Sequence, residues 1–393
     1  MTVQRPLRIA IVAGEESGDL LGADLATALA DLSGHEVSLS GVGGRHLRAL
    51  GLDPLFDGSE IALMGVSAVV KDLPRLMRRI GQTADAVVRA NPDCLVTIDS
   101  PDFSLRVARK VRAADPSIPI VHYVCPSVWA WRPARAAAMR PYIDEILCVL
   151  PFEPEALKRL EGPHGTYVGH RLTTHSGIED ALATQVARAS QDHADTARRL
   201  LVLPGSRRSE VTRLMEPFGE IVDILHARGN RLDIAIPTVP HVAALVEAAC
   251  DSWQVRPRII HDERGKWQAF GEADAALAAS GTVLLELALA GVPTVSCYRT
   301  DRVFGPIIKR LVTTWSAALP NLVADWPVVP EYLDENIRPG LIARQLEQLM
   351  GDTHARASQM AGFAQVAAAM ATERPAGQLA AEAVLRLTRG KLS

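Results

Sequence analysis

Short apolar runs alternate with helix-patterned segments from end to end of this chain, and that alternation restricts the fold more than any other feature. The first half has runs at Leu7–Val12, Val37–Gly41, Cys94–Ile98, Ile120–Tyr123, Ile146–Val149 and Thr166–Val168. Helical spacing falls between them over Leu20–Leu32, Thr83–Asn91, Phe103–Ala114 and Glu153–Leu160. The second half repeats the pattern with runs at Leu200–Leu203, Leu232–Ile236, Arg258–Ile260, Ala275–Ala278 and Thr294–Cys297. Apolar runs of this kind suit strands buried on both faces, as in parallel sheets covered by helices. The expectation is an α/β protein of two doubly wound, Rossmann-like domains facing across a cleft. Ligands should sit beyond the carboxyl ends of the strands. A length of 393 residues suits two domains. We place an N-terminal acceptor-side domain at 1–175, a polar, Ala-rich linker at 176–198, a second domain at 199–350 and a C-terminal helical segment at 351–393.

Composition excludes some classes. With 42 basic and 45 acidic residues the net charge is −3, which gives no global case for nucleic acid. The five cysteines are scattered without a C-x-x-C pair, so reduced, buried thiols in a cytoplasmic protein are expected. The polar start, Met1 to Pro6, lacks the apolar region of a signal peptide. The most apolar stretch, 273–297, contains Glu286 and two turns, so strand–helix–strand fits it better than a membrane span. A soluble chain, or one bound at a membrane surface, is expected.

The sharpest local signal is Leu203-Pro204-Gly205-Ser206-Arg207, where a buried strand gives way to a helix. Helix N-termini bind phosphate through unpaired N–H groups, and arginine adds a planar fork. An ordinary turn with solvated arginines would read the same way. Downstream, Ser280-Gly281-Thr282 follows another strand and opens a helix that carries Glu286. The small turn lets a pyrophosphate approach the backbone, and Glu286 can accept from a ribose hydroxyl. The alternative makes Thr282 an N-cap and Glu286 a first-turn acid. Yet Glu286 stands among leucines and needs a partner there. A nucleotide-sugar site therefore fits best.

In the first half, Gly14, Ser17 and Gly18 form a small-residue turn after the first strand, suited to a ligand or to a bare turn. Asp99 ends a buried strand before Pro101, where a partly desolvated carboxylate can serve as general base. Asp102 reads as the N-cap of the next helix. The loop His122 to Arg132 carries Ser127, Trp129 and Trp131; exposed aromatics there would contact a sugar, an acyl chain or the other domain, and local packing is the alternative.

Val66, Val69, Leu73, Leu76 and Met77 recur at helical spacing, bordered by Lys71, Arg75, Arg78 and Arg79. Such a segment can lie on an anionic membrane surface or touch acyl chains. A core-facing helix has the same stripe, and Pro74 argues against an unbroken one. Tyr298 through Leu311 mixes aromatics and cations similarly.

Several motifs, in order, resemble the lipid-A-disaccharide synthase family nearly end to end. They are Val12-Ala13-Gly14-Glu15-Glu16-Ser17-Gly18-Asp19, Met64-Gly65-Val66, Ile98-Asp99-Ser100-Pro101-Asp102-Phe103, and the long run His122-Tyr123-Val124-Cys125-Pro126-Ser127-Val128-Trp129-Ala130-Trp131-Arg132. Leu150-Pro151-Phe152-Glu153, Val168-Gly169-His170, Leu203-Pro204-Gly205-Ser206-Arg207, Ala279-Ser280-Gly281-Thr282 and Ser316-Ala317-Ala318-Leu319-Pro320-Asn321 complete the set. The resemblance implies an inverting glycosyltransferase of the GT-B type that joins UDP-2,3-diacylglucosamine to 2,3-diacylglucosamine 1-phosphate. The products would be a β-1,6 disaccharide and UDP. It also implies that Asp99 is the catalytic base and that Arg207 and Asn321 are donor-site residues. It places the protein peripherally on the cytoplasmic face of the inner membrane, and a homodimer is compatible with it. Cys125 stands where the family often has Ser, and Ser100 where it often has Ala. The sequence contains no D-x-D triplet, in keeping with a transferase that needs no metal or other cofactor. Rival readings are another GT-B nucleotide-sugar enzyme, either an epimerase or a lipid-linked N-acetylglucosaminyl transferase, and a non-catalytic nucleotide-sugar sensor at the membrane.

Overall fold

The computed structural model describes residues 5–58, 60–61, 73–189, 197–300 and 311–392. The chain divides into two compact units, Met1–Arg171 with Thr372–Ser393, and Leu172–Ala371. Among the described residues, no helix is long and apolar enough to cross a membrane.

In the first unit the strands are β1 (Leu7–Ala13), β2 (Val37–Val42), β3 (Cys94–Ile98), β4 (Ile120–Tyr123), β5 (Glu145–Cys148) and β6 (His164–Tyr167). They form one parallel sheet in the order β2-β1-β3-β4-β5-β6. Every residue of β3 is buried because both faces are covered. Ile9, Ile11 and Val96 pack toward Leu25, Leu29, Ala380 and Val384 of the helices Glu16–Ser33 and Ala376–Leu392. Val12 and Leu95 pack toward Ile80, Val107 and Val111 of the helices Leu73–Ala90 and Pro101–Ala114. Each such side chain contributes about 1.5–3 kcal/mol by burial. From β1 the chain goes out to β2 and then returns to β3 on the other side. The carboxyl ends of β1 and β3 therefore form a topological switch point, where ligands of such sheets bind.

The second unit repeats the plan with β7 (Arg198–Leu203), β8 (Leu232–Pro237), β9 (Arg258–Ile260), β10 (Ala275–Ala279), β11 (Thr294–Tyr298) and β12 (Glu331–Leu333). The order is β12-β11-β10-β7-β8-β9, again parallel, with the switch point between β7 and β10.

Three boundaries differ from the sequence reading. Much of the segment read as a linker at 176–198 is the helix Ser176–Ala189, packed on the helix Glu263–Glu272 inside the second unit. Its polar Gln185 is buried because its amide donates to the carbonyls of Phe270 (2.8 Å) and Ala273 (2.7 Å). The segment 351–393 does not stay together. The helix His354–Met370 serves the second unit, where Gln359 exchanges hydrogen bonds with the backbone of Thr294 at 2.8 and 2.9 Å. Ala376–Leu392 returns to the first unit and lies on Glu16–Ser33, where Gly377 fits close to the Asp24 backbone. The helix expected over Thr83–Asn91 starts ten residues earlier, at Leu73. Pro74 lies in its first turn, where the missing N–H costs no intrahelical bond.

Candidate functional site

In the first unit the switch point gathers the turn after β1 and the loops after β3 and β4. Ala13 pairs with Ile98 and Ile98 with Tyr123, so the three strand ends lie side by side. A Cβ on Gly18 would come within 3.4 Å of Ile98 Cγ2, and one on Gly14 within 2.6 Å of Ile61 Cγ2. Both glycines are thus packed into the turn, and Ser17 is its exposed member. Asp19 is buried and accepts from the N–H groups of Gly44 (2.6 Å) and His46 (2.7 Å). It holds the loop after β2, a role the sequence reading missed because its partners lie far along the chain.

Asp99 follows β3 with φ 50°, and Ser100 follows with φ 45°. Two successive non-glycine residues in the left-handed region carry strain, which the fold holds in place at the strand end. The Asp99 N–H donates to the Tyr123 carbonyl at 3.0 Å, and the Ser100 N–H donates to Asp99 Oδ1 at 2.8 Å. Burial raises the Asp99 carboxyl above the usual carboxylate range, against the pull of the Ser100 N–H. Asp102 is not the N-cap. Ser100 holds that position, Pro101 opens the helix, and Asp102 pairs with Arg135 at 2.9 Å.

The two tryptophans of the next loop differ. Trp129 is half-buried; its ring meets Phe152 edge-on at 5.1 Å and its indole N–H donates to Glu153 at 3.2 Å. Trp131 is 41% exposed, with the Arg132 guanidinium 4.1 Å from its ring centroid. Ser127 is exposed, and its carbonyl accepts from the N–H groups of Ala130 and Trp131, both at 3.0 Å. His122 is fully buried with Nδ1 2.8 Å from Thr97 Oγ1, and burial lowers its pKa to about 3. It is therefore a neutral core ring. Cys125, Cys148 and Glu153 bring their side-chain ligand atoms within 4.8 Å of one another. The neighbouring Cys148, and burial after it, push the Cys125 thiol up, and the Glu153 carboxylate accepts from the N–H groups of Val149 and Leu150.

In the second unit Ala278 pairs with Leu203, which places the two turns beside each other at the switch point. Gly205 has φ 101°, and a Cβ there would meet Glu210 Oε2 at 2.4 Å, so the position demands glycine. Ser206 is exposed, and His241 Nε2 lies 2.7 Å from its carbonyl. Arg207 caps the helix Arg208–Ala227. Its side chain is 71% exposed, paired with Glu210 at 3.0 Å, and free to offer its other nitrogens to an anion. Gly281 and Thr282 are exposed, and nothing lies within 4 Å of a Cβ built on Gly281.

Glu286 and Asn321 both have partners within the second unit. The partner that a carboxylate among leucines requires is Lys266, whose Nζ lies 2.6 Å from Glu286 Oε2 and 4.2 Å from the Trp267 ring centroid. A ribose is therefore not needed to explain the acid, although Oε1 can still accept from one. Asn321 is buried and its amide is used internally. Nδ2 donates to the Val329 carbonyl (3.0 Å) and to Ser316 Oγ (3.2 Å), and Oδ1 accepts from the Val329 N–H (2.7 Å). Glu331 completes this network by accepting from Ser316 Oγ and from the Ala317 N–H at 3.0 Å. Ser280 Oγ in turn donates to the Ala317 carbonyl at 2.9 Å. Asn321 thus reaches the Ser280-Gly281-Thr282 turn as a support two contacts away.

Of the apolar stripe, Val66 and Val69 with Lys71 lie outside the described residues. Leu73 begins the helix Leu73–Ala90. Leu76 is partly buried against the core, whereas Met77 is 43% exposed and Arg78 is exposed. Arg75 and Arg79 both pair with Glu60, at 2.8 and 3.0 Å, and Arg79 also stacks over Phe56. The stripe is therefore divided between core and surface.

Residues 9–384 match the family model described as lipid-A-disaccharide synthetase. A lipid-A-disaccharide synthase of Rhodopseudomonas palustris (strain HaA2) is 47% identical, covering 97% of this chain and 96% of that one. One of Nitrobacter hamburgensis is 48% identical, covering 96% and 95%. Among solved structures, the calicheamicin glycosyltransferase CalG4 superposes with a TM-score of 0.58 at 16% identity over 97% of this chain and 99% of its own. Acinetobacter baumannii MurG does so with 0.57 at 13% over 97% and 100%. These two likenesses are of fold alone. The match along almost the whole chain shows that this chain belongs to the lipid-A-disaccharide synthase family.

Proposed function

We propose that the chain is an inverting glycosyltransferase that joins UDP-2,3-diacylglucosamine to 2,3-diacylglucosamine 1-phosphate, giving the β-1,6 disaccharide and UDP. The observation that carries this reading is the pairing of family membership with a carboxylate at one switch point and an exposed arginine at the other. Asp99, its basicity raised by burial, takes the proton of the acceptor 6-hydroxyl as that oxygen attacks the donor anomeric carbon from the face opposite UDP. The bond to UDP breaks, and Arg207 with the backbone amides of Gly205–Ser206 and Ser280–Thr282 stabilises the negative charge left on the diphosphate. Glu286 Oε1 accepts from a ribose hydroxyl, and Asn321 holds the 316–318 segment that supports Ser280. Ser17, Ser127 and Trp131 line the acceptor side, with Gly14 and Gly18 shaping the turn that presents Ser17 and Trp129 as the anchor of its loop. The enzyme works as a peripheral protein on the anionic cytoplasmic face of the inner membrane, drawn there by sequence between Val66 and Arg79.

Mass spectrometry of the reaction of purified protein with both substrates tests the assignment. The expected outcome is a disaccharide monophosphate and one UDP per turnover. No disaccharide, or an epimerised nucleotide sugar formed without acceptor, would overturn it.

A further inference from the structure

Glu153 opens the helix Glu153–Arg159 just past β5, and its side chain is buried. Three N–H groups converge on it. Those of Val149 and Leu150 donate to Oε2, both at 3.0 Å, and the Trp129 indole donates to Oε1 at 3.2 Å. Among the described residues no salt bridge reaches this carboxylate, and an uncompensated buried acid is costly. Stability alone would favour a neutral side chain here. A carboxylate does one thing that glutamine cannot, because it offers both oxygens as acceptors. One serves the turn after β5 while the other serves the loop after β4.

That loop begins at the carboxyl end of β4, one residue past the Tyr123 carbonyl that holds the Asp99 N–H. Its first residue, Val124, has φ 73°, and Arg132 near its end has φ 53°, so the loop is a strained shape that needs external fixing. Trp129 is its only side chain bonded to Glu153 among the described residues, and the Phe152 ring holds the same indole at 5.1 Å. On either side of this anchor, Ser127 and Trp131 face outward.

We propose that Glu153 is a positioning residue for glycosyl transfer: through Trp129 it fixes the 124–132 loop so that Ser127 and Trp131 meet the acceptor sugar beside Asp99. This rests on the function proposed above. A loop left loose enough to misplace the acceptor hydroxyl by about 1 Å would cost on the order of 10²-fold in rate.

Steady-state kinetics of Glu153→Gln, Trp129→Phe and the double variant, with donor and acceptor varied separately, test it. Each single variant should lower kcat/KM for the acceptor roughly tenfold or more and leave the donor KM within about twofold. The double variant should be no worse than the poorer single, since both changes cut one contact. Equal losses toward donor and acceptor, or losses that multiply in the double variant, would overturn the proposal. The indole ¹⁵N–¹H resonance missing from Trp129→Phe should move in Glu153→Gln, and a fixed resonance would refute the contact whatever the activity. If the unmodified protein makes no disaccharide, it is the enzymatic reading that fails, and the indole resonance still judges the contact. Should Glu153→Gln fail to fold, Trp129→Phe alone must show the acceptor-selective loss.

Discussion

Asp99 combines two demands on one residue, a left-handed backbone and a partly desolvated carboxylate, and they can be separated by substitution. Asparagine tolerates the left-handed region several-fold better than most residues, whereas alanine would add strain there. Asp99→Asn should therefore keep the melting temperature and UDP affinity of the parent while turnover falls by roughly 10²–10⁴. In the parent, the rate should fall as pH drops through a carboxyl pKa above the ordinary value of about 3.9, because only the ionised form can take the proton. An Asn variant with near-normal turnover, or a parent without that acid limb, would remove Asp99 from the reaction. This residue was legible because the strand–Asp–x–Pro pattern puts a carboxylate at the carboxyl end of a buried strand. The Trp129–Glu153 bond was not, since its partners are 24 positions apart and nothing local marks which of two tryptophans turns inward. Asn321 was found by resemblance, but its supporting mode depends on Val329 and Glu331, which no motif contained.

At the scale of elements, buried parallel strands announce themselves by apolar runs, and those runs match the sheets closely. What escaped has a physical cause in each case. The strand Glu331–Leu333 is three residues long and follows Pro330, too short to show any period. The helix Ser176–Ala189 has a weak stripe because part of its packing runs through Gln185, not through large apolar side chains. The helix Leu73–Ala90 offers the clearest test of surface against core, because adjacent residues fall on different sides of it. Leu76→Ser should lower stability by roughly 1–3 kcal/mol, less than a fully buried leucine loses, because it faces the core only in part. Met77→Ser should leave the melting temperature nearly unchanged and weaken binding to vesicles of anionic lipid. Sedimentation with such vesicles checks this, and undiminished binding by Met77→Ser would take this helix out of the membrane contact.

For the molecule as a whole, the return of the last helix to the first unit was invisible in sequence, since an Ala-rich amphipathic helix fits either sheet. The pH dependence of stability, in contrast, follows from two buried groups of that unit whose effects oppose each other. His122 is held neutral with a pKa near 3 against an ordinary 6.5, so the stability it contributes is present above pH 6.5 and is lost as pH falls toward 3. Glu153 behaves in the opposite sense. Burial outweighs its three N–H donors and lifts its pKa from 4.5 to about 7. Its contribution is therefore complete below pH 4.5 and is lost as pH rises through about 7. Between 4.5 and 6.5 the two slopes have opposite sign and nearly cancel, which leaves other groups to set the profile. Glu153→Gln removes one slope and leaves the other. The stability of the variant relative to the parent should thus rise by about 3 kcal/mol between pH 4 and pH 8, the free energy of a shift of that size. Urea unfolding of both proteins across this range, followed by a probe in the first unit, measures the difference directly. A difference that stays constant with pH would show that Glu153 titrates in the folded protein as it does in the unfolded chain, its three donors offsetting burial.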